Sequence, residues 1–501
     1  MTDKTPIAQK SHTARLCEWI ESVRLQDVPG EIQMRAKYLI LDGLACALVG
    51  AHLPWSEKAA QAVVDMEPEG PVTIIGWEKV GQRMAHRRRE VQLADVASQK
   101  ISPISAALLN STFIQGFELD DWHSEAPLHS NSIILPTLFA AVEHVSERGS
   151  AVSMSGNDFL LSTIVGYEVG PRVGIGLHGG HILTKGWHSG AVFGPSAAAA
   201  SACKLLQLPE DNIEDALGIA CTQACGLMSA QYESEVKRMQ HGFAARNGLF
   251  ATLLAQHGYV GIKKVYDRPY GGFLAQFSAG NGKSPQYLVE EIDKDLGIEW
   301  KTNGIRVKPH AAMAGTHPTI DCIEGLQRRF PVELENLQAI QHIRIEMGEA
   351  MYHHGGWAIE TRPLTATGAQ MSNAYVGATQ LVDRQVLAAQ FRHDALDRDM
   401  IWNLVGKTTC ESNDEFKWMH QRVTITLDNG TELQHEVEAA RGFQPPISND
   451  EIVAKWRDLM KDVIDHDLME EIEQIVLNIE TCKDVGLLIE LLGRRTRNPL
   501  E

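Results

Sequence analysis

From Glu31 to Gly304 the apolar positions follow helical spacing, and beyond Gly304 strand-like alternation enters the chain. Ile32 to Val49 predicts one long helix. Ile133 to Val145 predicts a second, with Pro136 near its start, where proline is tolerated. Ala191 to Leu208 is Ala-rich and stops at Pro209. Asn212 to Ala230 and His241 to His257 read alike, with small residues set among apolar positions at helical spacing. Small residues on facing helices allow close approach, so these segments predict a compact bundle. Ala339 to Met347 alternates apolar and polar and predicts a strand. Arg422 to Leu427, the turn Asp428-Asn429-Gly430, and Thr431 to Val437 predict a β-hairpin. Thr367 to Leu381, between these strands, predicts a helix. After Pro445-Pro446, Ser448-Asn449-Asp450-Glu451 forms a capping box ahead of Ile452 to Met460, and Leu468 to Ile479 is again amphipathic. The expected fold is mainly α: a large all-helical domain of residues 1–304 and 446–501, with a smaller α+β domain of residues 305–445 inserted into it.

Length alone, 501 residues at about 150 per domain, would suggest three domains, so the pattern reduces that number to two. The formal charge of −18 argues against nucleic acid as a partner, because binding it begins with phosphate neutralisation. An anionic substrate would need a local cationic pocket that overrides this field. Eight scattered cysteines form no CxxC pair, and reduced thiols fit a cytoplasmic protein. Cys221 and Cys225, one helical turn apart in an apolar run, read as packing residues. The longest apolar run, Leu39 to Val49, carries Asp42 and is too short to span a bilayer, so no membrane partner is expected. The first residues show neither a signal core nor an Arg-rich presequence, which leaves the Asn110-Ser111-Thr112 sequon without weight. The basic stretch Arg83 to Glu90 reads as a solvated loop rather than an anion site.

Two literal motifs fail. Gly174 to Gly179 spells GxGxxG, but it follows a helical run rather than a strand. Gly282-Lys283-Ser284 resembles the end of a P-loop, but Phe277 stands where its first glycine is needed. His123 and His129 are six apart and do not share a helix face, so no metal is called for.

Three other segments concentrate ionisable groups. Glu118 to Ser130 holds Glu118, Asp120, Asp121 and Glu125 together with His123 and His129. A carboxylate beside a histidine can orient the ring and make it a usable acid near neutrality. His188 precedes the Ala-rich helix, where free N–H groups favour an anion, and it reads equally as a helix cap. Lys237, Arg238, His241 and Arg246 set cations among Gly and Ala, and buried cations need anionic partners. Lys308 and His310 add positive charge at the start of the α+β domain. Together these cations suit a small polycarboxylate. No nucleophile motif accompanies them, so the residues point to a cofactor-free lyase working by acid–base and electrostatic catalysis.

Five segments resemble the MmgE/PrpD family: RAKYLILDGLACALVGA from Arg35, FELDDWHSEAPLHSNSIILP from Phe117, GWHSGAVFG from Gly186, ALGIACTQACGLMSAQY from Ala216 and VKRMQHGFAARNG from Val236. The resemblance covers nearly the whole chain. It implies a helical domain built from both termini, a smaller α+β lid, an active site between the two, a homodimer, and no metal or organic cofactor. It implies His129, His188, Lys237 and Lys308 as catalytic, with Glu118 and Asp121 at the family's acidic positions. His123, Arg238, His241 and His310 are expected to bind substrate. The EAPLHS and CTQACGLMSAQY stretches favour the branch that decarboxylates cis-aconitate to itaconate and CO2. Alternatives are a dehydratase acting on 2-methylcitrate and a non-catalytic tricarboxylate-binding homologue. Lys308-Pro309-His310-Ala311-Ala312-Met313 departs from the fungal decarboxylases, which carry a tyrosine and paired cysteines there. Residues 83–99 have no counterpart in the family.

Overall fold

The computed structural model describes residues 10–77, 100–147, 154–231, 234–417 and 419–501. The basic stretch at Arg83 and the wider segment 83–99 lie outside the described residues. The chain is mainly α and divides into two compact units.

The first unit comprises Met1–Gln115, Asp121–Ile305 and Ile464–Thr496. Its helices are α1 (His12–Ser22), α2 (Gly30–Gly50), α3 (Pro54–Met66), α4 (Pro103–Ile114), α5 (Ser130–Glu147), α6 (Gly156–Gly176), α7 (Ser189–Leu205), α8 (Glu210–Thr222), α9 (Gln240–Gln256) and α10 (Phe273–Phe277). At its centre α7 packs against α6 and α9, and α4 and α5 lie against α9. Small side chains set these spacings. A methyl group on Gly248 of α9 would stand 2.3 Å from the Ala198 Cβ of α7, closer than any real contact. The run Leu39 to Gly50 of α2 is buried, as its unbroken apolar character requires. No single helix among the described residues is long and apolar enough to cross a membrane.

Several boundaries differ from expectation for local reasons. α5 starts at Ser130, so Pro136 lies inside it rather than near its first turn. The earlier start is fixed by Asp121, whose Oδ2 accepts the Ser130 N–H at 2.8 Å and whose Oδ1 accepts the Asn131 N–H at 3.0 Å. α8 ends at Thr222 instead of running to Ala230, because the chain turns through Gly226 at φ +109°, where a side chain would be strained. Cys221 is therefore buried while Cys225 is exposed. Burial pushes the Cys221 thiol up to about 12, so packing describes that residue and not its neighbour. The GxGxxG string falls where α6 terminates, the wrong helix end for a phosphate.

The second unit comprises Gly116–Asp120, Arg306–Val463 and Arg497–Glu501. Its helices are α11 (His317–Arg329), α12 (Glu349–Gly355), α13 (Ala366–Met371), α14 (Asn373–Asp383), α15 (Asp399–Val405) and α16 (Asn449–Met460). Its strands are β1 (Ile340–Met347), β2 (Thr408–Ser412), β3 (Gln421–Leu427) and β4 (Glu432–Val437), in the sheet order β2-β1-β3-β4. β1 runs parallel to β2 and antiparallel to β3, and β3 and β4 form the predicted hairpin with Gly430 at φ +81°. The expected helix from Thr367 to Leu381 is split into α13 and α14 at Ser372, whose side chain accepts the Tyr375 N–H at 3.3 Å. The capping box forms as read: Glu451 accepts the Ser448 N–H at 2.7 Å, and Ser448 Oγ accepts the Glu451 N–H at 3.2 Å. α16 groups with this unit, whereas the sequence places it with the helical domain. Lys455 on α16 donates to the Leu119 carbonyl at 2.8 Å, tying the helix to the short segment Gly116–Asp120. The chain then returns to the first unit with α17 (His466–Leu477) and α18 (Gly486–Leu492).

Candidate active site

In the first unit the structure brings three histidines together. The His241 ring lies 4.9 Å from that of His129 and 5.0 Å from that of His188, centroid to centroid. Each comes from the start of a helix. His129 directly precedes α5, His188 is the N-cap of α7, and His241 sits in the first turn of α9. Helix starts carry partial positive charge and N–H donors, so this corner suits an anion. His188 is seen in the second of its two readings, as a helix cap: its Nδ1 accepts the Ala191 N–H at 3.3 Å, which places a proton of the neutral ring on Nε2. His241 is fully buried, whereas His129 is only half-buried. Gly190 makes room for His241, since a Cβ there would stand 1.8 Å from the ring Nε2.

The remaining candidates in this unit fall into different settings. Lys237 is half-buried in the short 3-10 turn before α9. Arg238 is buried, with its guanidinium 5.8 Å from the Trp55 ring centroid. Asp121, expected at a catalytic position, spends both oxygens on the α5 N-terminus, so its place is that of a helix cap. His123, expected to bind substrate, is wholly buried. Its Nε2 donates to the Lys301 carbonyl at 3.0 Å, and its Nδ1 accepts N–H groups of Glu125 and Ala126, each at 3.2 Å. That is a backbone-fixing histidine, with both ring nitrogens engaged by the main chain. Tyr167 hydrogen-bonds Asn131 behind α5, and burial, then the Asp121 charge, holds its hydroxyl well above the usual tyrosine range.

In the second unit Lys308 is buried beside two carboxylates. Its Nζ is 3.0 Å from Glu118 Oε2 and 3.9 Å from Asp120 Oδ1. Glu118 holds this position in a left-handed conformation at φ 55°, which costs a non-glycine residue about 1 kcal/mol. Gln370 holds the two strands of chain together, donating to the carbonyls of Phe117 at 2.9 Å and Ala311 at 3.0 Å. His310 sits 3.9 Å from Asp321 Oδ1 and edge-on to His317, at the rim of a cleft of about 240 Å³ also lined by Arg384, Arg441 and Lys455.

His317 gives this unit a pH dependence. Burial pushes its ring well below the ordinary histidine range, and the His310 and Lys308 charges add to this. Its Nε2 donates to the Ala312 carbonyl at 3.0 Å, which favours the charged form but does not outweigh burial, so the folded ring is neutral near pH 7. The unfolded chain takes up a proton near pH 6.5 and the folded one does not. Stability is therefore full above about 6.5 and falls as the pH drops toward the lowered folded value, by at most about 1.4 kcal/mol per pH unit from this group. Urea midpoints measured between pH 7 and 5 should fall, and less so in His317→Asn. An unchanged slope in that variant would assign the acid sensitivity elsewhere.

Sequence reasoning missed two residues of the histidine cluster. Ser132 Oγ lies 2.9 Å from His241 Nδ1, and Gln115 Nε2 lies 3.5 Å from His241 Nε2. Ser132 is three residues past His129 and could have been found by helix spacing, but Gln115 carries no local signal. Among the described residues no group of three or more His, Cys, Asp and Glu side chains is placed to hold a metal ion.

Comparison with known proteins adds the lineage. The MmgE/PrpD N-terminal domain matches residues 14–286, and the MmgE/PrpD C-terminal domain matches residues 310–481. The chain is 49% identical to the cis-aconitate decarboxylase-like protein oryM of Aspergillus oryzae, covering 98% of this chain and 99% of that protein. It is 45% identical to the cis-aconitate decarboxylase of Aspergillus terreus, over 98% of each chain. A cis-aconitate decarboxylase of Homo sapiens is 24% identical over 96% of this chain and 95% of its own. With both domain signatures in order along one chain, this protein belongs to the MmgE/PrpD family.

Proposed function

We propose that the protein is a carboxy-lyase that converts cis-aconitate to itaconate and CO2 without a cofactor. The observation that carries this reading is the near-complete match, at 45% identity, to a fungal protein named cis-aconitate decarboxylase. The histidine cluster supports it chemically. The carboxylate to be lost is allylic to the double bond. As its C–C bond breaks and CO2 leaves, the electron pair forms the new double bond and the old one shifts. The former vinylic carbon then takes a proton. His129, half-buried beside the His241 ring, is the proton donor in this scheme, and Lys237, Lys308 and His188 bind carboxylates and offset the developing dienolate charge. Glu118 acts through Lys308, Arg238 contributes positive charge, and His310 contributes to substrate binding. Use of the α+β part as a lid, a homodimeric state and a cytoplasmic location belong to the same proposal. Free thiols support the location, and exposed Tyr259, Val260 and Tyr270 on the first unit support association.

One NMR time course with purified protein tests the reaction. Cis-aconitate should yield itaconate and CO2, at a rate unchanged by EDTA. Conversion of 2-methylcitrate to 2-methylaconitate instead would make the protein a dehydratase. Neither reaction, with stabilisation by tricarboxylate, would make it a binding protein.

A further inference from the structure

His241 is one of the cations expected from the sequence to bind substrate. The geometry points to another role, and we propose that His241 is a positioning residue, fixed as its Nδ1–H tautomer, that holds the His129 and His188 rings in register for the proton transfer proposed above. The inference rests on that reading for its kinetic consequences but not for the tautomer itself.

Three contacts carry the argument. Ser132 Oγ lies 2.8 Å from the His129 carbonyl and 2.9 Å from His241 Nδ1. A hydroxyl has one hydrogen, and a carbonyl can only accept. The Ser132 proton therefore goes to His129 O, and His241 Nδ1 must supply the hydrogen for the second contact. The ring Nε2 is then an acceptor, and it faces the Gln115 amide nitrogen at 3.5 Å, which donates. For the neutral ring this is the one assignment in which all three contacts have a donor and an acceptor. Gln115 Oε1 is buried with no hydrogen-bond partner among the described residues, so the amide gains nothing on its other side from this orientation. What it gains is the bond to His241.

Packing then turns a fixed tautomer into a fixed ring. Gly190 of α7 leaves no space for a Cβ beside Nε2, so the imidazole lies flush on the α7 backbone. The ring is fully buried, and it touches the rings of both neighbouring histidines within 5.0 Å between centroids. A group enclosed this way is poorly placed to meet substrate. It is well placed to set where His129 stands, through the ring contact on one side and Ser132 and the His129 carbonyl on the other.

The test has an arm that needs no activity. In protein carrying ¹⁵N-labelled histidine, long-range ¹H–¹⁵N NMR should show His241 as the Nδ1–H tautomer in the wild type. An Nε2–H pattern overturns the proposal whatever the enzyme does. In turnover, Ser132→Ala should lower kcat by about 10- to 100-fold, leave KM within about twofold, and shift the pH profile of kcat. His241→Asn places an amide near the Nδ1 position and should retain about tenfold more kcat than His241→Gln, whose amide falls near Nε2. Wild-type kcat in Ser132→Ala, an effect confined to KM, or the reverse ranking of the two His241 variants would each overturn the positioning role. Full turnover in a His129 variant would instead sink the proton-donor assignment and leave the tautomer result standing.

Discussion

Replacing His129 with Gln is expected to lower kcat by about 10²- to 10⁴-fold, the usual contribution of a positioned general acid, while the protein keeps its fold. The expectation of a clean loss comes from the backbone around it. The His123 N–H bonds the Leu128 carbonyl at 3.0 Å on one side of His129. On the other side the Ser130 and Asn131 N–H groups bond Asp121, and Ser132 Oγ bonds the His129 carbonyl itself. All of these contacts use main chain at positions 128–131, so a change of the 129 side chain removes none of them. The ring is half-buried and Gln has similar length, so the cavity left is small. Itaconate formation followed by NMR, with a melting curve alongside, checks both halves. Near-normal turnover with an unchanged melt would take the proton-donor role from His129.

Lys308→Met is expected to do the opposite, damaging the fold as much as the chemistry. Lys308 is 3% exposed, and its ammonium faces the buried Glu118 and Asp120 carboxylates. Removing one member of a buried ion pair costs about 3–5 kcal/mol, because the remaining charge keeps its desolvation penalty. The loss should appear as a lower urea midpoint. It should be partly recovered in Lys308→Met combined with Glu118→Gln, which removes one of the stranded charges. If Lys308 also binds a substrate carboxylate, the double variant regains stability without regaining turnover. A single variant as stable as the wild type would mean that the pair contributes little and that Glu118 is held by other contacts. The pairing also refines the electrostatic reading of the sequence: this cation already faces two buried carboxylates, and is not a bare counter-charge.

What was legible in the sequence was local. The capping box at Ser448, the Asn429-Gly430 turn and the strand at Ile340 all depend on residues within one or two turns of each other, and each formed where its pattern lies. What failed was set from a distance. The start of α5 depends on Asp121, nine residues upstream of the Ser130 N–H it accepts, across a loop with no capping pattern. The end of α8 depends on the left-handed backbone at Gly226, which an apolar, Ala-rich run conceals. The site shows the same division. His129, His188 and His241 were visible because each stands among small residues at a helix start. His123 looked equivalent, and only its bonds to Lys301, Glu125 and Ala126 reveal a residue that fixes the main chain. Gln115 has no pattern of its own and became visible only through the ring it faces.

The passage of Gly116–Asp120 through the second unit bears on how members of this family can be recombined. A graft that exchanges only the long stretch Arg306–Val463 between two relatives would import a lysine at 308 while retaining the host's own residues at 118 and 120. Charge partners that meet in one chain would be separated by the crossover. Viable chimeras should therefore need a second, very short donor fragment, five residues from a remote part of the gene, and libraries that allow a single crossover pair should yield mostly insoluble products.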